Sequence, residues 1–155
     1  MRILVMSDSH GEKYDPLLAV KQQPDAAYVI HLGDGEYDLQ RCKEKYPDRI
    51  YIQVKGNCDF GSQLNAVETI TLGGRKIYIT HGYAENVKYG LTNLFYRAKE
   101  QAADLVLYGH THIPRHDYYD EMHVFNPGSI REGRYGVIDI EENGIMCMHN
   151  QVRYE

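Results

Sequence analysis

Residues 1–11 read M-R-I-L-V-M-S-D-S-H-G, and they hold the first instance of a pattern that recurs along the chain. The apolar run from Arg2 to Met6 is too short for a helix, and it ends at a polar cluster with an aspartate, a histidine and a glycine. We therefore predict a buried strand whose carboxyl end carries Asp8 and His10.

Four further apolar runs end in the same way. They are residues 27–32 before Gly33-Asp34, residues 50–54 before Gly56-Asn57, residues 76–80 before His81-Gly82, and residues 104–108 before Gly109-His110-Thr111-His112. Ligands of open α/β sheets bind beyond the carboxyl ends of the strands, and glycine lets the backbone turn sharply there. If the five ends lie side by side, two aspartates, four histidines and one asparagine converge on one spot.

The segments between these runs contain helical patterns. Asp15 is expected to cap a helix that has Pro16 at its first position, and a second helix should stop near Pro47. Apolar residues at helical spacing predict one amphipathic helix over residues 87–98. Strands separated by helices of this length indicate parallel crossover units in the first half.

The second half has a different pattern of short strands and tight turns. Gly73-Gly74 predicts a hairpin between residues 67–72 and 76–80, because both turn residues tolerate a positive φ. We expect one α/β domain, residues 1–155, with a mixed sheet or sheets. Its exposed strands are compatible with a homodimer.

Composition excludes several classes of protein. The chain has 155 residues, 43% of them hydrophobic and 25% charged, which is typical of one globular domain. A net charge of -5 and the lack of any basic run argue against nucleic acid and anionic lipid as partners. The first residues show neither a signal peptide nor a membrane-spanning segment, so we expect no membrane association and a cytoplasmic location. Three scattered cysteines match neither a disulfide framework nor a C-x-x-C zinc motif.

Spacing adds a metal-binding signal to the strand ends. Asp8 and His10 are two residues apart, as are His110 and His112, and residues at this spacing in an extended chain point to the same side. Carboxylates and imidazoles with one amide suit Mn²⁺, Fe, Zn²⁺, Co²⁺ or Ni²⁺. Seven ligands are too many for one ion with open positions, and they suit two ions that share one carboxylate.

The ordered motifs resemble those of the calcineurin-like metallophosphoesterase superfamily. That pattern is D-x-H, G-D, G-N-[HC]-[DE], H and G-H-x-H, carried here by Asp8-Ser9-His10, Gly33-Asp34, Gly56-Asn57-Cys58-Asp59, His81 and Gly109-His110-Thr111-His112. The later Asn126-Pro127-Gly128-Ser129 is similar to a feature of the small single-domain bacterial and archaeal phosphodiesterase branch (YfcE-like). The resemblance implies a four-layer sandwich of two mixed β-sheets flanked by helices.

The resemblance also implies a ligand set and an activity. Asp8, His10, Asp34 and His112 would hold one divalent ion, and Asp34, Asn57, His81 and His110 would hold the second, with Mn²⁺ the usual metal of the family. A hydroxide bridging the two ions would attack the phosphorus of a small phosphate ester. Asp34 would bridge the ions and Asn57 would donate toward a phosphoryl oxygen, so these two are the predicted catalytic residues.

Cys58 departs from a common form of the pattern. Many phosphatases of the superfamily have histidine here as general acid for the leaving group, and a thiol is a poor substitute. The departure favours phosphodiesters, or esters of acidic alcohols, over alkyl monoesters. Alternatively, His31 or a metal-bound water donates the proton.

Three other predictions concern residues outside the ligand set. Asp59 either orients a ligand such as His81 or serves a turn, and Arg131 either meets the anionic substrate or is a solvated arginine. His31 fits a hydrogen-bonded core histidine better than a residue that supports the metal ligands. The histidines at 116, 123 and 149 are expected on the surface.

Two other functions compete with the enzyme. A small relative in the retromer complex resembles this fold yet serves as a protein-binding scaffold with a degraded metal site, whereas every ligand position is filled here. A metal-dependent nuclease is disfavoured by the acidic composition.

Overall fold

The computed structural model describes residues 1–154, which form ten strands, three α-helices and two short 3-10 helices. The strands are β1 (Arg2–Met6), β2 (Ala26–His31), β3 (Ile50–Gln53), β4 (Val67–Leu72), β5 (Arg75–Thr80), β6 (Leu105–Leu107), β7 (Arg115–Tyr119), β8 (Met122–Asn126), β9 (Arg134–Glu141) and β10 (Gly144–Gln151). The helices are α1 (Tyr14–Gln22), α2 (Gln40–Lys45) and α3 (Thr92–Glu100), with 3-10 turns at Val87–Tyr89 and Ile130–Glu132.

The strands build two mixed five-stranded sheets. The first sheet has the order β10-β9-β1-β2-β3, and the second has the order β4-β5-β6-β8-β7. In the first sheet β1, β2 and β3 run parallel, and in the second β5, β6 and β8 do. Within each sheet, therefore, the carboxyl ends of the parallel strands meet at one edge.

Three apolar clusters stack the layers. The central cluster lies between the sheets and includes Ile3 and Val5 of β1, Ile79 of β5 and Leu107 of β6, all fully buried. A second cluster packs α1 and α2 onto the outer face of the first sheet, and a third packs α3 onto the outer face of the second. The four-layer sandwich of two mixed sheets flanked by helices is confirmed.

Two local predictions about the helices are wrong. α1 begins at Tyr14 rather than after Asp15, because the Glu12 Oε1 atom accepts the backbone N–H groups of Tyr14 and Asp15 at 2.7 and 3.2 Å and so serves the helix start. The helix over residues 87–98 is broken in two at Gly90, whose φ of 131° is incompatible with a helix.

The predicted hairpin is confirmed, with Leu72 of β4 opposite Arg75 of β5 across Gly73-Gly74. The longest α-helices of residues 1–154 have nine residues, and none is long and apolar enough to cross a membrane.

Candidate metal centre

Backbone hydrogen bonds tie the strand-end loops of each sheet together. In the first sheet the N–H of Asp8 donates to the Gly33 carbonyl at 3.0 Å, and that of His10 donates to the Asp34 carbonyl at 2.9 Å. In the second sheet the Gly109 N–H donates to the His81 carbonyl at 2.9 Å. The loops after β1 and β2, and those after β5 and β6, are therefore held in fixed register.

Two further bonds connect the sheets across the site. The His110 N–H donates to the Asp8 Oδ2 atom at 3.0 Å, and the His81 Nδ1 atom donates to the Leu32 carbonyl at 2.7 Å. In the neutral ring the second bond assigns the His81 proton to Nδ1, so Nε2 has a lone pair that can bind a cation. Glycine is needed where these loops meet, since a Cβ on Gly56 would overlap the Asp34 carboxylate and one on Gly109 would overlap the Ser7 hydroxyl.

The ligand atoms form two groups. In the first, the donor atoms of Asp8, His10 and His112 all lie within 4.8 Å of one another, with 3.2 Å between Asp8 Oδ1 and His112 Nε2. In the second, those of Asp34, His81 and His110 meet the same limit, with 3.2 Å between His81 Nε2 and His110 Nδ1. Six of the seven residues predicted to bind metal thus converge on one site.

Asp34 lies between the two groups. Its Oδ2 atom is 3.2 Å from His81 Nε2 in one group and 3.7 Å from His10 Nε2 in the other. Its Oδ1 atom accepts the backbone N–H of Cys58 at 2.7 Å. A carboxylate fixed in this way presents Oδ2 to both groups, as a bridging ligand requires.

The charges of the site call for a cation. Burial raises the pKa of Asp34. Its hydrogen bond with His81, the charge of His81 and the hydrogen bond from the Cys58 N–H lower that pKa by more, so it lies below its usual range. Burial lowers the pKa of His81, yet Asp34 and Asp8 raise it by more, and it lies above the ordinary value. The pKa of His110 is lowered by burial and then by the charges of His81 and Lys88. A positive charge is thus stabilised at the inner side of the cluster, beside both carboxylates.

An orphaned oxygen supports the same conclusion. Within residues 1–154 the buried Asp8 Oδ1 atom has no hydrogen-bond partner, although the imidazole nitrogens of His112 and His10 lie 3.2 and 3.5 Å away. A buried carboxylate oxygen left without a partner is costly. A divalent ion coordinated by this oxygen and the neighbouring imidazoles would satisfy it, so the residues fit the metals that the donor set implies.

The backbone at the ligands is unusual. Nine non-glycine residues of the described chain have a positive φ, and five of them are predicted metal ligands: Asp8 (58°), His10 (45°), Asp34 (62°), His110 (72°) and His112 (63°). Left-handed backbone at non-glycine residues is uncommon and concentrates at functional sites. The strand-end turns are therefore conformationally strained at the residues whose side chains they direct into the site.

Two clefts flank the cluster. One, of about 300 Å³, is lined by His10, Asp34 and Cys58, and the other, of about 280 Å³, by Asn57, Tyr83 and His110. Asn57, the seventh predicted ligand, is exposed, and its Nδ2 atom lies 3.7 Å from Cys58 Sγ, so it borders the site from the second cleft.

The three other predicted site residues, Asp59, Cys58 and Arg131, lie in different environments around the cluster. None of the described hydrogen bonds or ion pairs joins Asp59 to His81; its carboxylate instead accepts the backbone N–H groups of Asp34, Gly35, Glu36 and Gly56, at 2.8, 2.9, 3.2 and 2.8 Å. Cys58 is exposed beside His10 and Asp34, and burial together with the charges of Asp34, Asp59 and Asp8 raises the pKa of its thiol. Arg131 lies exposed on its 3-10 turn, and none of the described hydrogen bonds or ion pairs joins it to the cluster.

His31 belongs to a buried hydrogen-bond chain behind the site. The Gly33 N–H donates to its Nδ1 atom at 3.1 Å, so its Nε2–H donates to Ser9 Oγ at 2.9 Å, and that hydroxyl donates to Asp38 at 2.6 Å. Burial lowers the pKa of His31 to about 4 against the charges of Asp8, Asp59 and Asp38. Asp38 also accepts the Gly11 N–H at 2.8 Å, and nothing in the sequence distinguished it as part of the site.

The last residue of β8 and the segment that follows it hold two of the loops in place, and these contacts were not predicted from the sequence. Asn126 Nδ2 donates to the Gly109 carbonyl at 3.2 Å and to the Thr111 hydroxyl at 3.0 Å, which holds the turn that carries both histidines of G-H-x-H. Ser129 Oγ donates to the Asp8 carbonyl at 2.8 Å. The only signal was the Asn126-Pro127-Gly128-Ser129 string itself.

Comparison with known proteins agrees with this geometry. Residues 1–143 match the family model described as calcineurin-like phosphoesterase superfamily domain. The chain is 36% identical to the probable metallophosphoesterase YsnB of Bacillus subtilis (strain 168), covering 97% of this chain and 86% of that protein. It is 25% identical to the phosphodiesterase YfcE of Escherichia coli (strain K12), over 97% and 94% of the two chains.

Solved structures share the fold. A predicted phosphoesterase from Streptococcus pneumoniae TIGR4 superposes with a TM-score of 0.81 at 30% identity, over 97% of this chain and 88% of that one. Vps29 from Entamoeba histolytica superposes with a TM-score of 0.78 at 19% identity, over 99% and 100%, which is a likeness of fold alone. The family match and the relatives of 30% identity or more agree with the motifs at the strand ends: this chain belongs to the calcineurin-like phosphoesterase superfamily.

Proposed function

We propose that this protein is a phosphodiesterase that works with two divalent metal ions. The observation that carries the proposal is the position of Asp34 Oδ2 between two groups of carboxylate and imidazole donors, 3.2 Å from His81 and 3.7 Å from His10. Asp8, His10, Asp34 and His112 would hold one ion, and Asp34, Asn57, His81 and His110 the other. We propose Mn²⁺ as the native metal, since no thiolate belongs to either set; Fe, Zn²⁺, Co²⁺ and Ni²⁺ suit the same donors.

When bound, the two ions would supply positive charge for the phosphoryl oxygens and lower the pKa of a water molecule. The chain's own residues prepare the site for this chemistry. His81 is held by the Leu32 carbonyl and Asp34 by the Cys58 N–H, so neither side chain needs to reorganise when substrate arrives. Asn57 lines the second cleft beside His110, where its amide can donate toward a phosphoryl oxygen.

Cys58 and the two clefts favour a diester over a monoester. Cys58 occupies the place of a general acid, but its raised pKa and weak hydrogen-bonding capacity make it a poor proton donor. General acid catalysis contributes roughly 10²–10⁴-fold, so its loss is most harmful for poor leaving groups. A diester carries two organic substituents, and a cleft on each side of the cluster, of about 300 and 280 Å³, offers room for both.

The test is a comparison of bis(nitrophenyl) phosphate with nitrophenyl phosphate on Mn²⁺-loaded protein. We expect a higher kcat/KM for the diester. Cys58→His, which restores the usual acid, should raise the monoester rate relative to the diester rate, and Gln63→His, which adds a histidine at an exposed position outside both clefts, serves as the matched control. A monoester preference in the native chain would refute the diester assignment.

A protein-binding scaffold is the second candidate, because the Vps29 fold superposes over nearly the whole chain. Metal-dependent turnover separates the two, whereas metal content alone does not, since a Vps29 from Entamoeba histolytica has been solved in complex with zinc. An enzyme should retain or take up divalent ions at the cluster and lose turnover with a chelator, whereas a scaffold should show neither turnover nor its recovery when Mn²⁺ is added.

The setting of the enzyme is part of the proposal. Free cysteines at 42, 58 and 147 support a reducing compartment, the cytoplasm. The net charge of -5 supports a small phosphate ester as substrate rather than a nucleic acid. Edge strands β3, β4, β7 and β10 leave room for a homodimer, which stays a prediction.

A further inference from the structure

Two histidines and a cysteine meet at the edge of the sandwich, away from the strand-end loops. His116 belongs to β7, His123 to β8 and Cys147 to β10. β7 and β10 are the outermost strands of the second and first sheets. The donor atoms of the three residues all lie within 4.8 Å of one another, and His116 Nε2 is 3.0 Å from His123 Nδ1. The cluster therefore joins the two sheets, and none of its members belongs to the catalytic set.

The register of the strands explains why these side chains converge. His116 lies opposite Phe125 in the β7–β8 pair, and His123 is two residues before Phe125, so both histidines share the face that Phe125 turns toward the other sheet. Cys147 packs against the same central cluster from β10. The facing sheets thus bring a thiol to a pair of imidazoles without any sequence motif.

The environment keeps the imidazoles in the form that binds metal. Burial lowers the pKa of His116, and the charge of His149 lowers it further against Asp117. Burial also lowers the pKa of His123, as do the charges of His116 and Arg75. Both shifts favour the neutral ring, which has a lone pair on one nitrogen. Burial raises the pKa of the Cys147 thiol to about 12, so a bound cation must stabilise the thiolate.

We propose that His116, His123 and Cys147 bind one Zn²⁺ ion that clamps the two sheets together at this edge. Two imidazoles and a thiolate are a borderline-soft donor set that suits Zn²⁺ and disfavours Mn²⁺ and Mg²⁺, which prefer oxygen. Three protein ligands leave the fourth tetrahedral position to water. On binding, the Cys147 S–H bond breaks, the sulfur lone pair forms the Zn–S bond, and the proton passes to solvent.

The catalytic cluster also holds a cysteine, so the test must tell the two sites apart. The full-length protein is stripped with a chelator under reducing conditions and titrated with Co²⁺, which reports a bound thiolate through a sulfur-to-cobalt charge-transfer band in the near ultraviolet. The band is expected in the native chain and in Cys58→Ser, and it is expected to be lost in Cys147→Ser. His116→Gln, at an exposed position, should lose it as well.

A second readout uses zinc itself. The native chain should bind one Zn²⁺ more per molecule than Cys147→Ser or His116→Gln, and zinc should raise its Tm by more than it raises theirs. Phosphoesterase activity does not enter either measurement, so failure of this site is distinguishable from failure of the catalytic proposal. A charge-transfer band that survives in Cys147→Ser or disappears in Cys58→Ser would overturn the clamp, as would equal zinc content in all three proteins.

Discussion

Asp59→Ala should weaken both folding and metal binding, although the described hydrogen bonds of the Asp59 carboxylate all come from backbone N–H groups and none from a ligand side chain. Its Oδ1 atom accepts the N–H groups of Gly35 and Glu36, and its Oδ2 atom accepts those of Asp34 and Gly56. One carboxylate therefore ties the loop that carries Asp34 to the loop that carries Asn57.

The size of the effect follows from these four bonds. Hydrogen bonds to an ionised group contribute roughly 1.5–3 kcal/mol each, but the sum overstates the loss because water reaches this half-buried carboxylate and replaces part of it. We expect the free energy of unfolding to fall by about 2–4 kcal/mol in the metal-free protein. A displaced Asp34 should also raise the Mn²⁺ concentration for half-maximal turnover by roughly 10–100-fold, as other residues that orient metal ligands do.

Denaturant unfolding of the chelated protein gives the first quantity, and a Mn²⁺ titration of turnover gives the second. Asp48→Ala, which removes an exposed carboxylate in the turn before β3, is the matched control. Asp59→Asn should behave almost like Asp59→Ala, because its amide nitrogen would face two N–H donors. If Asp59→Ala matches Asp48→Ala in both assays, the loop-tying role is wrong.

Three further outcomes are expected. Asp34→Asn should lower kcat/KM by at least about 10²–10³-fold while leaving the circular dichroism spectrum unchanged, and a smaller loss would contradict the bridging role. Asn126→Ala should weaken Mn²⁺ binding about 10-fold, with most turnover restored at saturating metal, whereas Asn143→Ala in the exposed β9–β10 turn should do neither. The pKa of His31 is about 4 in the folded protein and 6.5 in the unfolded chain, so between these pH values the unfolded chain binds one more proton. Metal-free protein should therefore lose roughly 3 kcal/mol of stability as pH falls from 6.5 to 4. His31→Gln should flatten that part of the stability curve, and an unchanged curve would show that another group titrates.

The positions where apolar runs stop were sufficient for an α/β domain with a mixed sheet or sheets and for the convergence of six ligands, whereas the four-layer sandwich was implied by the family resemblance. The end of a strand can be recognised from neighbouring residues such as Gly33-Asp34, and parallel pairing then brings such ends together at one edge of the sheet. The start of α1 was misplaced because Glu12 accepts the N–H groups of Tyr14 and Asp15, while the Asp15 carboxylate accepts the Tyr154 hydroxyl, a contact with a distant part of the chain. The break at Gly90 was missed because apolar spacing continues across it.

Contacts between segments that are distant along the chain could not be predicted from the sequence. Asp59 accepts N–H groups from residues more than twenty positions away, which no local pattern encodes. His123 was expected on the surface, yet β8 places it half-buried between the sheets. Glu85 is fully buried, where it accepts the hydroxyls of Tyr78 and Thr80, and nothing in its neighbours along the chain distinguishes it from a solvated glutamate.

The left-handed backbone at five ligands has an evolutionary consequence. Each such residue costs on the order of 1 kcal/mol, less for aspartate, and together they amount to a sizeable share of the 5–15 kcal/mol that holds an average domain folded. Exchange of His110 or His112 for glycine would relieve the backbone strain at that position and remove a predicted metal ligand in the same step. Selection for stability alone would therefore favour the loss of these ligands from the fold.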